Sequence, residues 1–293
     1  MSHKPVFRFA PSPNGFLHLG HAFSALITQQ RARDIGGQVL LRIEDIDQAR
    51  CHKQYEQAIY EDLEWLGFGW DGSVRRQSEY LNAYQDALET LRQKGMLYPC
   101  FATRSEIKQV LIKQGSGISH AKDPDGSFLY PGIYKNFPAK ELEKRLANGE
   151  SYALRLDMQK AMCVLNEQIN TQLTIREITS EGNEIKRNAK PAIWGDVVLS
   201  RKDIKCSYHI ACCVDDAWQG VSHVTRGRDL HAATDLHRLL QKLLDLPEPI
   251  YFHHRLIFND KSEKLSKSVK STALRDLRRQ GCTVQDIKNM IGL

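Results

Sequence analysis

Two histidines lie three positions apart in the segment PSPNGFLHLGH, where a loop gives way to a helical pattern. His18 and His21 should therefore project from neighbouring positions on one face of the helix start. The unpaired N–H groups and dipole of a helix N-terminus favour an anion, and two imidazoles can donate hydrogen bonds to a phosphoryl group that gains charge. Gly20 would let a nucleotide approach closely. The segment predicts a polyphosphate site, with two ordinary surface histidines as the alternative.

A second polar group is KLSKS, residues 264–268, far downstream of the histidines. The ammonium groups of Lys264 and Lys267 and the hydroxyl of Ser266 suit a polyphosphate. A compact cation on a flexible stem can follow charge toward a leaving pyrophosphate, which makes Lys267 the candidate for transition-state stabilisation. Taken alone, such a basic loop is weak evidence, because most such runs are solvated surface.

HLGH followed by KLSKS more than 200 residues later resembles the paired signatures of class I aminoacyl-tRNA synthetases. The segments RFAPSPNGFLHLGHA, LLRIEDID, YHIACCVDD, HVTRGRDL and EKLSKS are similar to the glutamyl-tRNA synthetase group over nearly the whole chain. The resemblance implies attack of the glutamate α-carboxylate on the α-phosphorus of ATP, with release of magnesium pyrophosphate. It implies catalytic roles for His18, His21 and Lys267, and ATP contacts from His18, Gly20, His21, Lys264, Ser266 and Lys267.

A dicarboxylic substrate needs fixed cations for its side chain and an acceptor for its ammonium group. The planar guanidinium groups of Arg8 and Arg226 match a carboxylate, and Glu44 can hold the ammonium. The resemblance places these residues in a glutamate site together with Ala10, Ser12 and Tyr208. The alternative is that Arg8 or Glu44 only forms an internal ion pair. Asp45 and Asp47 are expected to brace loops and helix ends.

The elements that position these residues begin with a βαβ pattern. Phe7 and Phe9 alternate in a strand over 4–10, apolar residues recur at helical spacing from Leu19 to the Gly36–Gly37 pair, and 39–43 is a buried strand. Parallel strands and a right-handed crossover follow, with ligands at the carboxyl ends of the strands.

Further helices are predicted over 53–66, 79–94, 139–148 and 229–246. A buried strand is predicted over 208–214, strand and turn signals over 152–199, and a mobile loop over 113–127. Near the C-terminal end we expect a last short helix capped by Thr283 with Asp286 three residues later.

The expected fold is α/β: a Rossmann-like class I synthetase catalytic domain with a parallel sheet, an inserted acceptor-binding subdomain and a short helical C-terminal tail. We place the first half of the nucleotide-binding fold at 1–95, the inserted RNA-binding subdomain at 96–190, the second half at 191–256, and the KLSKS loop with the C-terminal helices at 257–293.

Only a short basic helical segment follows Ser268, which leaves no room for the anticodon-reading domain of a full glutamyl-tRNA synthetase. This architecture resembles a shortened branch that attaches glutamate to queuosine at the wobble position of tRNA(Asp). The insertion would then hold the anticodon arm. The alternatives are a truncated synthetase that charges tRNA(Glu), a small nucleotidyltransferase that uses no RNA, and a noncatalytic synthetase-like RNA-binding protein.

The insertion departs from relatives that carry zinc on a C-x-C pair, a tyrosine and a further cysteine. Only Cys100 and Tyr134 remain as candidates, too few for a structural zinc, so we expect no metal. Packing by Phe101, Phe128 and Tyr130 would replace it.

Cys212 stands where discriminating glutamyl-tRNA synthetases commonly place an asparagine, which argues against tRNA(Glu) charging. A metal or redox role for Cys212 and Cys213 is the alternative to burial in the core.

Composition agrees with a globular enzyme of 293 residues and 41% hydrophobic content. The sequence lacks a leader and a long apolar run, and its seven cysteines show no C-x-x-C spacing, so we expect a cytoplasmic monomer with reduced thiols. The net charge is +6, and residues 255–293 hold nine Lys or Arg against four Asp or Glu. That excess suggests a polyanionic partner, although a solvated helical surface is an equal alternative.

Overall fold

The computed structural model describes residues 4–113, 121–168, 172–204, 206–258 and 272–293. The predicted βαβ unit is confirmed: strand β1 (Val6–Phe9) leads to helix α1 (Leu19–Asp34) and strand β2 (Gln38–Ile43). The two strands are parallel. Helix α1 ends just before Gly36, whose φ of 64° lies in the left-handed region that glycine adopts without strain.

The predicted helices over 53–66, 79–94, 139–148 and 229–246 are confirmed. In chain order the further elements are α2 (Lys53–Trp65), β3 (Arg75–Arg76), α3 (Leu81–Gln93), β4 (Leu97–Cys100), α4 (Arg104–Lys113), α5 (Ala139–Ala147), β5 (Ala153–Leu156), α6 (Met158–Gln168), β6 (Thr174–Ile178), β7 (Glu184–Asn188), β8 (Val198–Ser200), α7 (Tyr208–Trp218), β9 (His223–Gly227), α8 (His231–Leu243), β10 (Ile250–His254), α9 (Leu274–Arg279) and α10 (Val284–Ile291).

Two sheets, each built mainly from parallel strands, lie next to each other in the middle of the molecule. The first has the order β1–β2–β3, and the second has the order β7–β6–β10–β9 with β7 antiparallel at its edge. Ser222, just before β9, donates its N–H to the Val6 carbonyl at 3.0 Å and accepts the Val6 N–H on its hydroxyl at 2.9 Å. The carboxyl ends of β1, β2, β9 and β10 therefore face one side of the molecule.

A third sheet, β4–β5–β8, is antiparallel. Strand β8 lies beyond residue 190 yet pairs with β5, whereas β6 lies before residue 190 yet pairs with β10. The expected division into 1–95, 96–190, 191–256 and 257–293 stays a prediction.

The prediction of a strand over 208–214 is wrong, because these residues form the first two turns of α7. An apolar run of this length has no periodicity that distinguishes a strand from a buried helix. Helix α6 was also missed among the strand signals of 152–199.

Hydrophobic clusters cover both faces of the parallel sheets. Leu40 packs against the cluster that contains α3, α7 and α8, whereas Val39 and Leu41 belong to the cluster that contains α1, α9 and α10. Alternate residues of a strand point to opposite faces, so the two clusters sandwich the sheet.

The predicted cap of α10 is confirmed. The Thr283 hydroxyl accepts the Asp286 N–H at 3.2 Å, and the Asp286 carboxylate accepts the Thr283 N–H at 2.8 Å. Among the helices described, not one combines the length and apolar character that crossing a membrane demands.

Candidate active site

A cleft of about 990 Å³ opens at the carboxyl ends of β1, β2, β9 and β10. Every predicted site residue that lies in the described ranges lines this cleft: Arg8, Ala10, Ser12, His18, Gly20, His21, Glu44, Tyr208 and Arg226. Lys264, Ser266 and Lys267 lie outside the described residues. The predicted glutamate contacts and the predicted phosphate contacts of the HLGH motif thus share one cavity.

His18 and His21 cap the N-terminus of α1 reciprocally. The Nδ1 atom of His18 accepts the Gly20 N–H at 3.1 Å, and the Nδ1 atom of His21 accepts the His18 N–H at 3.2 Å. A ring nitrogen that accepts a hydrogen bond carries no hydrogen, so each neutral imidazole carries its hydrogen on Nε2. Both rings can donate from Nε2 without being protonated.

Gly20 also leaves room for the His18 ring in the cap. A Cβ at this position would lie 3.0 Å from the Cε1 atom of His18. A larger residue would push the His18 ring away from the helix end.

The guanidinium group of Arg226 is oriented by neutral partners inside the protein. Nη2 donates to Thr234 Oγ1 at 2.7 Å, while Nη1 lies 3.3 Å from His237 Nδ1 and 3.4 Å from the Tyr208 hydroxyl. The Nε atom is buried and has no hydrogen-bond partner in the part of the chain that the structure describes. A buried cation with an unpartnered donor is costly, and Arg226 lines the cleft, so its guanidinium group is suited to an anionic ligand.

Arg8 and Glu44 belong to a buried ion-pair network that rests on Arg42. Asp216 Oδ1 accepts from Arg8 Nε at 3.1 Å and from Arg42 Nη1 at 2.8 Å, and Arg42 Nη2 lies 3.2 Å from Glu44 Oε1. Arg8 and Glu44 therefore do form internal ion pairs, as the alternative interpretation expected. Both residues also line the cleft.

The pKa values of these groups follow from burial and from the arginines. Burial raises the pKa of Glu44, and Arg42 and Arg8 oppose that rise only in part. Burial also raises the pKa of Asp216, but Arg8 and Arg42 outweigh it and the net shift is downward. Burial and then Arg226 lower the pKa of His237 well below its ordinary value, which keeps that ring neutral.

The buried charges around the pocket are not all directly paired. Arg75 joins the network through Asp215, with Nε 2.7 Å from Oδ1. The network thus joins three arginines (Arg8, Arg42 and Arg75) to three carboxylates (Glu44, Asp215 and Asp216). Arg226 is a buried cation at the same cleft, and its direct partners among the described residues are neutral.

Sequence reasoning missed Arg42, Asp215, Asp216 and Thr234. Arg42 had a visible signal, since it is a fully buried cation inside the apolar run VLLRI, and a buried charge needs a partner. The two aspartates follow the apolar stretch of α7 and are buried as well. Thr234 carried no such signal.

Cys212 and Cys213 are both buried, as predicted, but on α7 rather than on a strand. The Cys212 thiol lies 3.6 Å from Asp216 Oδ2 and 3.8 Å from Arg42 Nη2. All seven cysteines are free thiols. Cys212 thus packs against Asp216 and Arg42, which belong to the buried ion-pair network beside the cleft.

Asp45 and Asp47 brace the loop after β2, as expected. Asp45 accepts from the N–H and the hydroxyl of Ser78 at 2.8 and 2.6 Å, and Asp47 pairs with Arg50 at 2.5 Å.

In the insertion, Cys100 and Tyr134 lie in an aromatic cluster. The Cys100 thiol donates to the Tyr130 hydroxyl oxygen at 3.3 Å, and its sulphur accepts from Arg155 Nε at 3.4 Å. The guanidinium group of Arg145 lies between 5.3 and 5.6 Å from the ring centroids of Phe101, Tyr134 and Phe137. These contacts leave Cys100 with partners that do not suit a zinc site.

Phe128 was expected in this packing, but it is 46% exposed and forms an isolated bridge with Lys122. The turn between these two residues holds Phe128 at the surface, so its predicted role is wrong.

Among the described residues, one group of histidine and carboxylate side chains is close enough to hold a metal. The ligand atoms of Glu177, His231 and His253 lie within 4.8 Å of one another. Arg187 already donates to Glu177 Oε1 at 2.9 Å, which disfavours a metal cation at the same oxygen.

The chain is similar to known synthetases over nearly its whole length. Residues 5–293 match the family model described as "tRNA synthetases class I (E and Q), catalytic domain". A glutamyl-Q tRNA(Asp) synthetase from Rhodobacter capsulatus is 43% identical over 98% of this chain and 100% of its own length. Another from Thiobacillus denitrificans is 35% identical over 96% of this chain and 83% of its own length.

Among solved structures, the glutamate-tRNA synthetase from Elizabethkingia anophelis has a TM-score of 0.72 and 27% identity. The match covers 96% of this chain but 54% of that one, so the chain spans about half the length of that synthetase. With a family model that matches nearly every residue and an α/β fold shared with these structures, the chain belongs to the class I tRNA synthetases of the glutamate and glutamine type.

Proposed function

We propose that the protein activates L-glutamate with ATP and transfers the glutamyl group to the queuosine base at the wobble position of tRNA(Asp). It would act as a monomer in the cytoplasm, where its free thiols stay reduced. Mg²⁺ would accompany the ATP phosphates as part of the substrate.

The observation that carries this proposal is the buried Arg226 cation at the cleft, whose direct partners among the described residues are neutral. Glutamate has a side-chain carboxylate that can pair with this cation. Glutamine has no net charge and would leave the buried cation unpaired. Because an unpaired buried charge is costly, the pocket favours glutamate.

Within the pocket, the guanidinium groups of Arg226 and Arg8 would hold the glutamate side-chain carboxylate, and Glu44 would hold the α-ammonium group. Tyr208 stays neutral because burial raises its pKa well above the ordinary value, so its hydroxyl can donate a hydrogen bond. Ala10 and Ser12, in the loop after β1, would complete the contacts. The α-carboxylate is then free to face the nucleotide.

Activation is a displacement at the α-phosphorus of ATP. A bond forms from a glutamate carboxylate oxygen to phosphorus, the bond to the bridging oxygen breaks, and pyrophosphate leaves. His18 and His21 would donate from Nε2 to phosphate oxygens at the start of α1, beside Gly20. Lys264, Ser266 and Lys267 would contact the same phosphates.

In the transfer step, a hydroxyl of the queuosine cyclopentenediol would attack the acyl carbon of the adenylate. The ester bond forms as the bond from the acyl carbon to the phosphate oxygen breaks, and AMP leaves while the hydroxyl proton passes to its phosphate or to water. No enzyme nucleophile is needed, since positioning and charge stabilisation serve both steps. We assign the tRNA(Asp) anticodon arm to the inserted subdomain, residues 96–190. The names of the relatives support this acceptor.

The test is transfer of radiolabelled glutamate, with ATP, to three RNAs: tRNA(Asp) that carries queuosine, the same tRNA without it, and tRNA(Glu). We expect label only on the queuosine-containing tRNA. Label on tRNA(Glu) alone would support ordinary aminoacylation by a shortened synthetase. Label on none, together with no glutamate-dependent pyrophosphate exchange, would favour a noncatalytic RNA-binding protein.

A further inference from the structure

The Arg226 guanidinium group is the cationic end of a hydrogen-bond chain that leaves the cleft. Thr234 Oγ1 accepts from Arg226 Nη2 at 2.7 Å and lies 2.9 Å from His253 Nε2. His253 Nδ1 lies 3.4 Å from Glu177 Oε1. Thr234, on α8, is fully buried, and the side chains of His253 and Glu177 are 5% and 10% exposed.

The direction of the hydrogen bonds in the chain follows from its two ends. An arginine N–H can only donate, so Thr234 Oγ1 accepts from Arg226. A carboxylate can only accept, so the neutral His253 ring carries its hydrogen on Nδ1, which faces Glu177. His253 Nε2 then has a lone pair and lies 2.9 Å from Thr234 Oγ1, closer than the Leu230 carbonyl at 3.5 Å, so the hydroxyl donates to Nε2.

The charge states agree with that direction. Burial lowers the pKa of His253 to about 4, so the ring is neutral and has one N–H. Burial raises the pKa of Glu177, but hydrogen bonds from His253 and Arg187 outweigh it and bring the value to about 2, so this group is a carboxylate. All hydrogens point from the cation toward the anion, and bonds aligned in this way strengthen one another.

Glu177 is anchored in the hairpin formed by β6 and β7. Arg187 on β7 donates to Glu177 Oε1 at 2.9 Å and to Asp235 at 2.7 Å. His231 is the third group near this carboxylate, with Nε2 at 3.5 Å. A nitrogen that carries hydrogen cannot ligate a metal, so the Nδ1–H of His253 assigns this cluster to the hydrogen-bond chain instead.

We propose that Thr234, His253 and Glu177 are positioning residues for the amino-acid substrate, which hold the Arg226 guanidinium group in place at the wall of the cleft, where it can bind the substrate carboxylate. The inference rests on the proposed glutamate pocket. It makes the β6–β7 hairpin part of the machinery that recognises glutamate, although the hairpin itself does not line the cleft.

The test compares Thr234→Val with Thr234→Ser in glutamate-dependent ATP–pyrophosphate exchange. Valine keeps the shape of threonine but leaves Arg226 Nη2 without its acceptor, whereas serine keeps the hydroxyl. For Thr234→Val we expect KM for glutamate to rise about tenfold, the factor that loss of one charge-assisted hydrogen bond produces. The values of kcat and of KM for ATP should stay within about twofold of wild type, and Thr234→Ser should resemble wild type.

Two further variants complete the test. Thr28→Val removes another fully buried hydroxyl, which donates to the Ser24 carbonyl on α1 at 2.6 Å, and should leave KM for glutamate unchanged. Glu177→Gln keeps the acceptor atom but removes the charge at the far end of the chain, and should raise KM for glutamate about threefold, since hydrogen bonds to an ion are roughly twice as strong as neutral ones.

An unchanged KM for glutamate in Thr234→Val, or equal rises of both KM values, overturns the positioning role. If Thr234→Val does not fold, an unchanged KM in Glu177→Gln has the same meaning. Failure of the proposed function looks different, because wild type itself would then show no exchange that depends on glutamate.

Discussion

His18 and His21 each use Nδ1 to cap the same helix end, and their ring centroids are 3.9 Å apart. The two rings therefore form one unit in which helix capping fixes the hydrogen on both Nε2 atoms. Structure and proposed catalysis use different atoms of the same side chains, so substitutions can separate them.

Replacing His18 by asparagine or by alanine should separate capping from phosphate binding. Asparagine is a good N-cap residue and should preserve stability, whereas alanine should cost about 1 kcal/mol of unfolding free energy. Both variants lose the Nε2 donor, and we expect kcat of pyrophosphate exchange to fall about 100-fold in each. Thermal unfolding and exchange assays measure the two effects. Wild-type activity in His18→Asn would show that the ring serves only as a cap.

Arg226→Ala and Lys267→Ala should have opposite kinetic signatures. Loss of Arg226 removes a contact to bound glutamate and should raise KM for glutamate by at least about tenfold. Loss of Lys267, which lies outside the described residues, should lower kcat with little change in that KM, because its contact forms as charge moves to pyrophosphate. Steady-state exchange at varied glutamate separates the two. Similar changes in both variants would contradict the assigned roles.

Glutamate binding should weaken as the pH falls through the pKa of Glu44. The carboxylate form holds the ammonium group, so protonation removes the contact and KM for glutamate rises. Because burial raises this pKa, the rise should begin at a higher pH than for an ordinary carboxyl group. A pH profile of kcat/KM for glutamate tests this.

The matched control is Glu44→Gln, whose side-chain oxygen can still accept from Arg42. This variant should have a high KM at every pH and lack the titration. A profile in Glu44→Gln that still falls at the same pH would assign the titration to another group.

The insertion should retain no stoichiometric zinc. After incubation with zinc and dialysis, elemental analysis should find well under one atom per chain, because Cys100 is engaged by Tyr130 and Arg155. Arg145→Ala should lower the stability, since this guanidinium lies over three aromatic rings. One bound zinc per chain that is lost in Cys100→Ser would reverse this interpretation.

The sequence was sufficient to predict the βαβ unit, the C-terminal cap and nine of the residues that line the cleft. Those features depend on local periodicity, on Thr283 and Asp286 three positions apart, and on motifs that resemble a known family. The strand proposed for 208–214 failed because Tyr208 to Val214 is apolar on nearly every side, and only tertiary packing decides that it is helical.

The partners of the site residues could not be predicted. Arg42 and Asp216 are 174 positions apart, and Arg8 and Asp216 are 208 positions apart. No local pattern in a single sequence reports such pairs. The same is true of Glu177 and His253, which meet only because β6 pairs with β10.

The hydrogen bonds between Val6 and Ser222 have a consequence for how the chain folds during synthesis. Strand β1 emerges from the ribosome early, yet its neighbour β9 follows more than 200 residues later. Until then the edge of β1 is without this neighbour, and contacts of such long sequence separation form slowly. An amino-terminal fragment that ends before β9 should therefore bind neither substrate and should be prone to aggregate, because the pocket belongs to neither half alone.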